Sequence, residues 1–510
     1  MTAMHDNGKA LELLQGLDLG ESIAEVDTLL EAARVETSAF GELLLDKVDL
    51  VPGTKGSGKS ALFRIFVDFL PGFLLRSRKV VVAHGVQKHG DNVFHAFKDQ
   101  FEQLSEDDFV NFWCIYLTSL AHEQFIKGEA YQEILKIASA EIQDFRDACA
   151  KANIPEIKAK KSLRDILGWA LHVLRGWTPR LTYKLPHEGG EIGLDLFGHV
   201  ERPKPQVAET PQVPRFITDV KDQLANVLKK ADLSIWLMID RLDEIFPRRT
   251  DLETRALRGL LRTLRLFASE DIRVKIFLRD DMLEQIVSTG EGFTALTHIT
   301  SRCADTLQWS EDQILTMLVK RLFANDALAD YLNVDRDRLD ASQEYRKECF
   351  YMVFPPTVHS GSKQSSTKHW IYTHTMDGKD VVTPRDVLDL VTSAKQKQQD
   401  EFNQARSGQS TWLIGPKAIL YGLGELSKRK RDTYLKAEFP HLWDHIKKFE
   451  GGKTEYDRRS LETLLGRKWE TICADLLSIG VLGKHGRGDE TTYWFPHVYR
   501  KSLGLTQGRA

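Results

Sequence analysis

The run Gly53-Thr54-Lys55-Gly56-Ser57-Gly58-Lys59-Ser60 has the residue types and spacing of a loop that holds phosphate, G-x-x-x-x-G-K-[ST]. A chain that wraps a phosphate with its own N–H groups needs torsions that only glycine adopts cheaply, which accounts for Gly53, Gly56 and Gly58. Lys59 can then reach the outer phosphates as a point charge, and the Ser60 hydroxyl can ligate Mg²⁺. The helix that opens with Ala61 adds the positive end of its dipole. The competing reading is a Gly/Ser/Lys turn that matches by chance. The flanks argue against it: an apolar run (Val48, Leu50, Val51) predicts a strand before the loop, and the pattern from Ala61 to Leu70 predicts a helix after it.

A bound Mg²⁺ needs a carboxylate, and Ile235-Trp236-Leu237-Met238-Ile239-Asp240 supplies one at the end of a run that reads as a buried strand. Asp240 is the candidate metal residue alongside Ser60; the alternative is an ordinary strand cap. Hydrolysis also needs a carboxylate to orient and deprotonate water. Arg241 holds the place directly after Asp240, so the candidates are Glu244 first and Asp243 second; both also suit the start of a helix. Arg273 to Leu278 predicts the next strand. It ends in Arg279, placed to sense a terminal phosphate, and Arg302 is a weaker candidate for the same work.

In the helix predicted for 251–267, Leu257, Leu260, Leu261 and Leu264 form an apolar stripe, and Arg255, Arg258, Arg262 and Arg265 form another. The arginines fit a solvated face, contacts to nucleic-acid phosphates, or a finger reaching a neighbouring subunit's nucleotide. Thr383-Pro384-Arg385-Asp386 opens a helix with Thr as N-cap and Pro in the first turn. Arg385 there can lean onto bound phosphates or bridge neighbouring acids.

These residues need a scaffold, and 510 residues suffice for about three domains. At 42% hydrophobic and 28% charged the composition is globular, and a net charge of −3 confines any nucleic-acid surface to a local patch. Five cysteines without C-x-x-C spacing point to reduced thiols rather than zinc or disulfides. No apolar run is long enough to span a membrane, and Met1 to Lys9 lacks the pattern of a signal peptide. A soluble cytoplasmic protein without a membrane partner is therefore expected.

The expected fold class is α/β: a phosphate-loop parallel-sheet core with a large helical insertion, a helical lid and a C-terminal winged helix. Along the chain this gives an N-terminal helical arm over 1–45 and the core over 46–310, interrupted by the insertion at about 90–230. The lid follows over 311–405 and the winged helix over 406–510. The arm reads as helical from residue 11, and it fits either a cover over a nucleotide base or a flanking helix. Lys79 to His84 predicts a second buried strand. The gap from Ser60 to Asp240 far exceeds what one crossover needs, hence the insertion. Within it, helices are expected at Phe112–Leu120 and Leu163–Leu174, a hairpin between Leu181 and Phe197, and a proline-rich connector over 201–214.

Near the C-terminus, short helices precede strands at Gly480–Leu482 and Thr492–Phe495 joined by a Gly-rich turn. From residue 425 onward, 17 Lys and Arg face 12 Asp and Glu. Lys428-Arg429-Lys430-Arg431, Arg467-Lys468 and the tip residues Lys484, His485 and Arg487 are the DNA candidates, and protein docking is the alternative use of such a module.

Gly53 to Ala61, Ile239 to Glu244, Phe277 to Asp280 and the upstream Ser22-Ile23-Ala24-Glu25 together resemble a family of bacterial P-loop ATPases in the AAA+/STAND superfamily, initiator-like and often found in defence loci. The resemblance implies ATP rather than GTP, Mg²⁺, ATP hydrolysis and a lid arginine at Arg385. By association it extends to an antiphage role; the partners expected beside ATP and DNA are further copies of the chain or a separate effector protein. Arg241 departs from the glutamate usual at that place. The function so implied is a nucleotide-driven switch or motor; its competitor is an ATP-binding scaffold with little turnover.

Overall fold

The structure, a computed structural model, describes residues 5–85, 101–102, 104–152, 213–242, 251–267, 269–288, 301–361, 363–405, 407–486 and 488–510. The chain forms two compact units. A sheet unit comprises 38–54 and 59–307, and a helix-rich unit comprises 1–37, the loop crest 55–58 and 308–510.

The sheet unit is an α/β layer structure. Its strands Leu50–Gly53, Ile272–Arg279, Ser234–Ile239 and Val80–Gly85 lie side by side in that spatial order, all parallel. Leu50 also bridges in parallel to Cys303, and the N–H groups of Ala304 and Leu307 donate to Leu50 O and Pro52 O at 2.8 Å each. The strand before the phosphate loop therefore has neighbours on both sides. These strands are short, β-branched and apolar because both faces are covered, as in parallel sheets generally. After the loop the chain runs as an α-helix over Lys59–Arg64 and then a π-helical turn over Ile65–Phe69.

From the insertion, helix Glu106–Ala121 packs on helix Asp251–Phe267, where Trp113 Nε1 donates to Ala256 O at 2.9 Å. Phe101, Phe109, Phe112 and Trp113 meet edge to face or stacked in this core. The expected helix at Leu163–Leu174, the hairpin between Leu181 and Phe197 and nearly all of the proline-rich connector lie outside the described residues.

The helix-rich unit shares one hydrophobic core from Ala10 to Leu503. Its N-terminal part differs from the continuous helix that the periodicity predicts. Helix Asn7–Gly16 ends at Leu17, helix Ser38–Leu44 belongs to the sheet unit, and the residues between them form turns. The reason is Asp27, whose buried carboxylate accepts from the N–H groups of Glu21 and Leu29 at 3.2 Å each, offering the backbone an alternative to helix. Arg321 seals the arrangement, its Nη1 donating to Leu19 O at 2.8 Å and to Asp27 Oδ1 at 3.1 Å.

Helix Pro384–Gln404 opens as its N-cap predicts, with Thr383 Oγ1 accepting from Asp386 N at 3.2 Å, and Ser310 caps helix Glu311–Phe323. Towards the C-terminus helix Pro440–Lys447 is followed by strand Lys453–Asp457, helices Arg458–Leu465 and Trp469–Ser478, and a hairpin of Gly483–His485 with Thr492–Trp494. The first hairpin strand starts three residues later than the apolar run predicts. Gly480 N donates to Leu477 O and Val481 N to Leu476 O, so these N–H groups close the preceding helix instead of pairing a strand. Strands Lys453–Asp457 and Thr506–Arg509, which the sequence reading passed over, complete a four-stranded sheet.

Candidate nucleotide site

Parallel strands deliver their carboxyl ends to one edge of a sheet, and three of the singled-out residues end there. Gly53, where the loop departs, pairs in register with Arg279, and Ile239 pairs with Ile276. Asp240, the next residue, is buried at 8% exposure. One strand separates its strand from that of Gly53, so the two strand axes are about 10 Å apart. Arg241 follows with φ of 62°, a left-handed conformation that costs a non-glycine residue roughly 1 kcal/mol and turns the chain sharply away from the strand. Asp243 and Glu244 lie outside the described residues.

Two basic groups at this edge already have protein partners. Lys59 Nζ donates to Gly53 O and Thr54 O at 2.8 Å each, folding the side chain along its own loop. Arg279 makes a two-point contact with Asp281, Nε to Oδ1 at 3.0 Å and Nη2 to Oδ2 at 2.7 Å. Ser60 and Ala61 sit in the first turn of the helix that follows the loop.

The loop crest is held within the helix-rich unit. Gly56 and Gly58 take φ of +83° and +96°, which explains glycine at both. A Cβ on Gly56 would stand 3.2 Å from Arg385 Cβ and 3.3 Å from Thr383 Oγ1, so the start of helix Pro384–Gln404 lies directly over it. Arg385 Nε donates to Ser22 O at 3.3 Å, which ties the N-terminal arm to this arginine. Lys55 pairs with Glu438, and Trp309 Nε1 donates to Ser57 O at 2.7 Å.

The fit to an anion rests on atoms the protein leaves unused. Among the described residues the buried hydroxyls of Thr54 and Ser57 have no hydrogen-bond partner, although Ser57 is wholly buried. A buried hydroxyl without a partner is costly, and a phosphate oxygen would satisfy it. Among the described residues no group of three or more His, Cys, Asp or Glu forms a metal cage. Ser60 and Asp240 each offer an oxygen, fewer than Mg²⁺ takes, and Mg²⁺ commonly completes its shell from phosphate and water.

Other basic candidates are occupied elsewhere. Arg302 pairs with Asp49 and Asp46 beside buried Lys275, at the amino end of the Leu50–Gly53 strand and so at the sheet edge opposite the loop; this position removes it as a phosphate sensor. In the arginine stripe, Arg255 donates to Leu104 O, Arg258 donates to Ile286 O at 2.8 Å, and Arg262 meets Glu106 at 3.0 Å and Asp107 at 2.7 Å. These three brace neighbouring elements.

The run expected to meet DNA is likewise paired. Lys428 binds Glu425, Arg429 binds Asp389, Lys430 binds Asp386 and Arg431 binds Asp432. Lys484, His485, Arg467 and Lys468 are exposed, and Arg487 lies outside the described residues. Trp309, Asp281 and Glu438 were not found by sequence reasoning, because none belongs to a motif and each is recognised only by what it touches.

Neither a protein-family profile nor a curated protein sequence matches the chain. Among solved structures, the ORC2 protein of Aeropyrum pernix in ADPNP–ADP complexes is similar at 13% identity and a TM-score of 0.39, over 93% of this chain and 91% of that one. The Walker-type ATPase of Pyrococcus abyssi is similar at 12% identity and a TM-score of 0.37, over 96% of this chain and 99% of that one.

Proposed function

We propose that the chain binds ATP with Mg²⁺ at the Gly53–Ser60 loop, hydrolyses it, and acts as a nucleotide-driven switch. The observation that carries this reading is the arrival of the loop, Asp240 and Arg279 at one carboxyl edge of a parallel sheet. Backbone N–H groups of the loop, with Lys59, hold the phosphates. Ser60 and Asp240 hold the metal, which supplies charge neutralisation on the phosphates. Glu244, with Asp243 second, orients the attacking water, and Arg279 senses the terminal phosphate once it exchanges Asp281 for it. Arg385, over Gly56, communicates the state of the loop crest to helix Pro384–Gln404.

ATP rather than GTP follows from the resemblance of the loop and strand motifs, and the lack of an N-K-x-D guanine motif supports it. Membership of the bacterial AAA+/STAND superfamily, assembly with copies of itself or with an effector, and an antiphage role belong to this same proposal.

The test is ATP·Mg²⁺ binding and turnover with Lys59→Ala and Glu244→Gln. The proposal expects Lys59→Ala to abolish binding, and Glu244→Gln to retain binding while losing turnover by about 100-fold. A parent protein without affinity for ATP·Mg²⁺ overturns it. Tight binding without turnover in the parent selects the scaffold alternative.

The helix, strand, two helices and hairpin after Pro440 are read as a winged helix. Its second paired helix, Trp469–Ser478, exposes Glu470 and Asp475 and contains no Lys or Arg. With the Lys428–Arg431 run paired internally, this charge pattern favours docking to protein over insertion into DNA, and leaves the wing tip as the DNA candidate.

A further inference from the structure

We infer that Trp309 is a positioning residue for the nucleotide phosphates, setting the peptide between Ser57 and Gly58 so that its N–H faces the bound anion. The inference rests on the proposed nucleotide site. It starts from the planarity of the trans peptide, in which C=O and N–H point in opposite directions. The Ser57 carbonyl is held by the indole N–H of Trp309 at 2.7 Å. Fixing the carbonyl on one side fixes the Gly58 N–H on the other. That orientation matters at a left-handed residue, since Gly58 at φ +96° has no Cβ to hold the peptide by steric contact and would otherwise flip at low cost.

The indole is itself well supported. Its ring lies against Gly58, with Cζ2 3.5 Å from where a Cβ would be, and it packs on the core of the helix-rich unit. Tyr372 Oη donates to Trp309 O at 3.0 Å, and Ser310 immediately caps helix Glu311–Phe323, so the backbone carrying the indole is braced on both sides. Phenylalanine at 309 would fill the same space and lack the donor. Tyrosine and histidine could also donate, but each also carries an acceptor atom; tryptophan donates without accepting, so it cannot compete for the loop's own N–H groups.

The experiment is calorimetric titration of the full chain and its Trp309→Phe variant with ATP·Mg²⁺, ADP·Mg²⁺ and inorganic triphosphate. One hydrogen bond lost from a preorganised loop corresponds to about five-fold weaker binding. The expected result is a loss of this size, equal for ATP and ADP, and seen also with triphosphate, which has no base. In turnover, KM rises and kcat stays within two-fold. Tyr372→Phe, which frees the backbone of Trp309 but keeps the indole, gives a smaller loss in the same direction and serves if Trp309→Phe misfolds. Unchanged affinities with a lowered melting temperature would mean that Trp309 only supports the fold, and would overturn the inference while leaving the nucleotide site intact. A parent chain that binds none of the three ligands overturns both.

Discussion

Acidification from pH 7.5 to 5 is expected to loosen the helix-rich unit through one pair of side chains. His374, on helix Thr367–Thr375, and His497, at the start of the short helix His497–Arg500, face each other with ring centroids 3.9 Å apart. His374 also stacks on Trp370 at 4.0 Å. Burial, then the proximity of His497, Arg500 and His359, holds His374 down to about 3, against the opposing hydrogen bond to Trp370 O. Burial and Arg500 hold His497 down to about 4.

Both values lie below the ordinary 6.5, so the unfolded chain takes up protons that the folded unit refuses. Stability from this pair is therefore complete above about pH 6.5 and is lost as pH falls through that value towards the folded ones. At pH 5 the limit is about 2 kcal/mol per histidine, from 1.36 kcal/mol per pH unit. Solvent screening at these partly exposed rings reduces the pair's contribution to about 2 kcal/mol in total.

The assay is urea unfolding at pH 5.0 and 7.5, read by hydrogen exchange in helix Thr367–Thr375. His497→Asn should remove about half of the difference, and the double variant with His374→Gln most of it. A double variant with the parent's full pH dependence would refute the reasoning.

Two other outcomes follow from charged side chains. Asp27→Ala leaves the buried Arg321 guanidinium without its anion, at a cost of about 3 to 5 kcal/mol, visible as a lower melting temperature. Because the same arm presents Ser22 O to Arg385, the variant should also raise KM for ATP. At the wing, duplex DNA held by Arg467, Lys468, Lys484 and Arg487 would weaken with salt at a log–log slope of about −3 to −4, and Lys484→Glu should make that slope shallower by about one. Absent or salt-insensitive binding retires DNA as a partner.

The phosphate loop, the strands ending at Asp240 and Arg279, the arginine helix and the Thr383 cap were legible in the sequence because each depends on local physics. Glycine torsions, β-branched runs, helical spacing and a capping hydroxyl act within a few residues of chain. The N-terminal arm misled because Asp27, acting through its side chain, captures N–H groups that the periodicity assigns to a helix. Gly480–Leu482 misled because an apolar run does not reveal that its N–H groups close the preceding helix.

Charge was the least legible property. A lysine or arginine in sequence carries no mark of whether a carboxylate waits for it: Lys430 meets Asp386, Arg262 meets Glu106, and Arg302 meets Asp49 across more than two hundred residues of chain. By itself, the sequence determined that a glycine-bent loop follows a strand and that a strand ends in Asp240. The tertiary structure alone decided which basic groups are committed to acids, and that an indole two hundred and fifty-two residues away holds the Ser57 carbonyl. Pairings of that kind are set by where the chain returns in space, which no local pattern encodes.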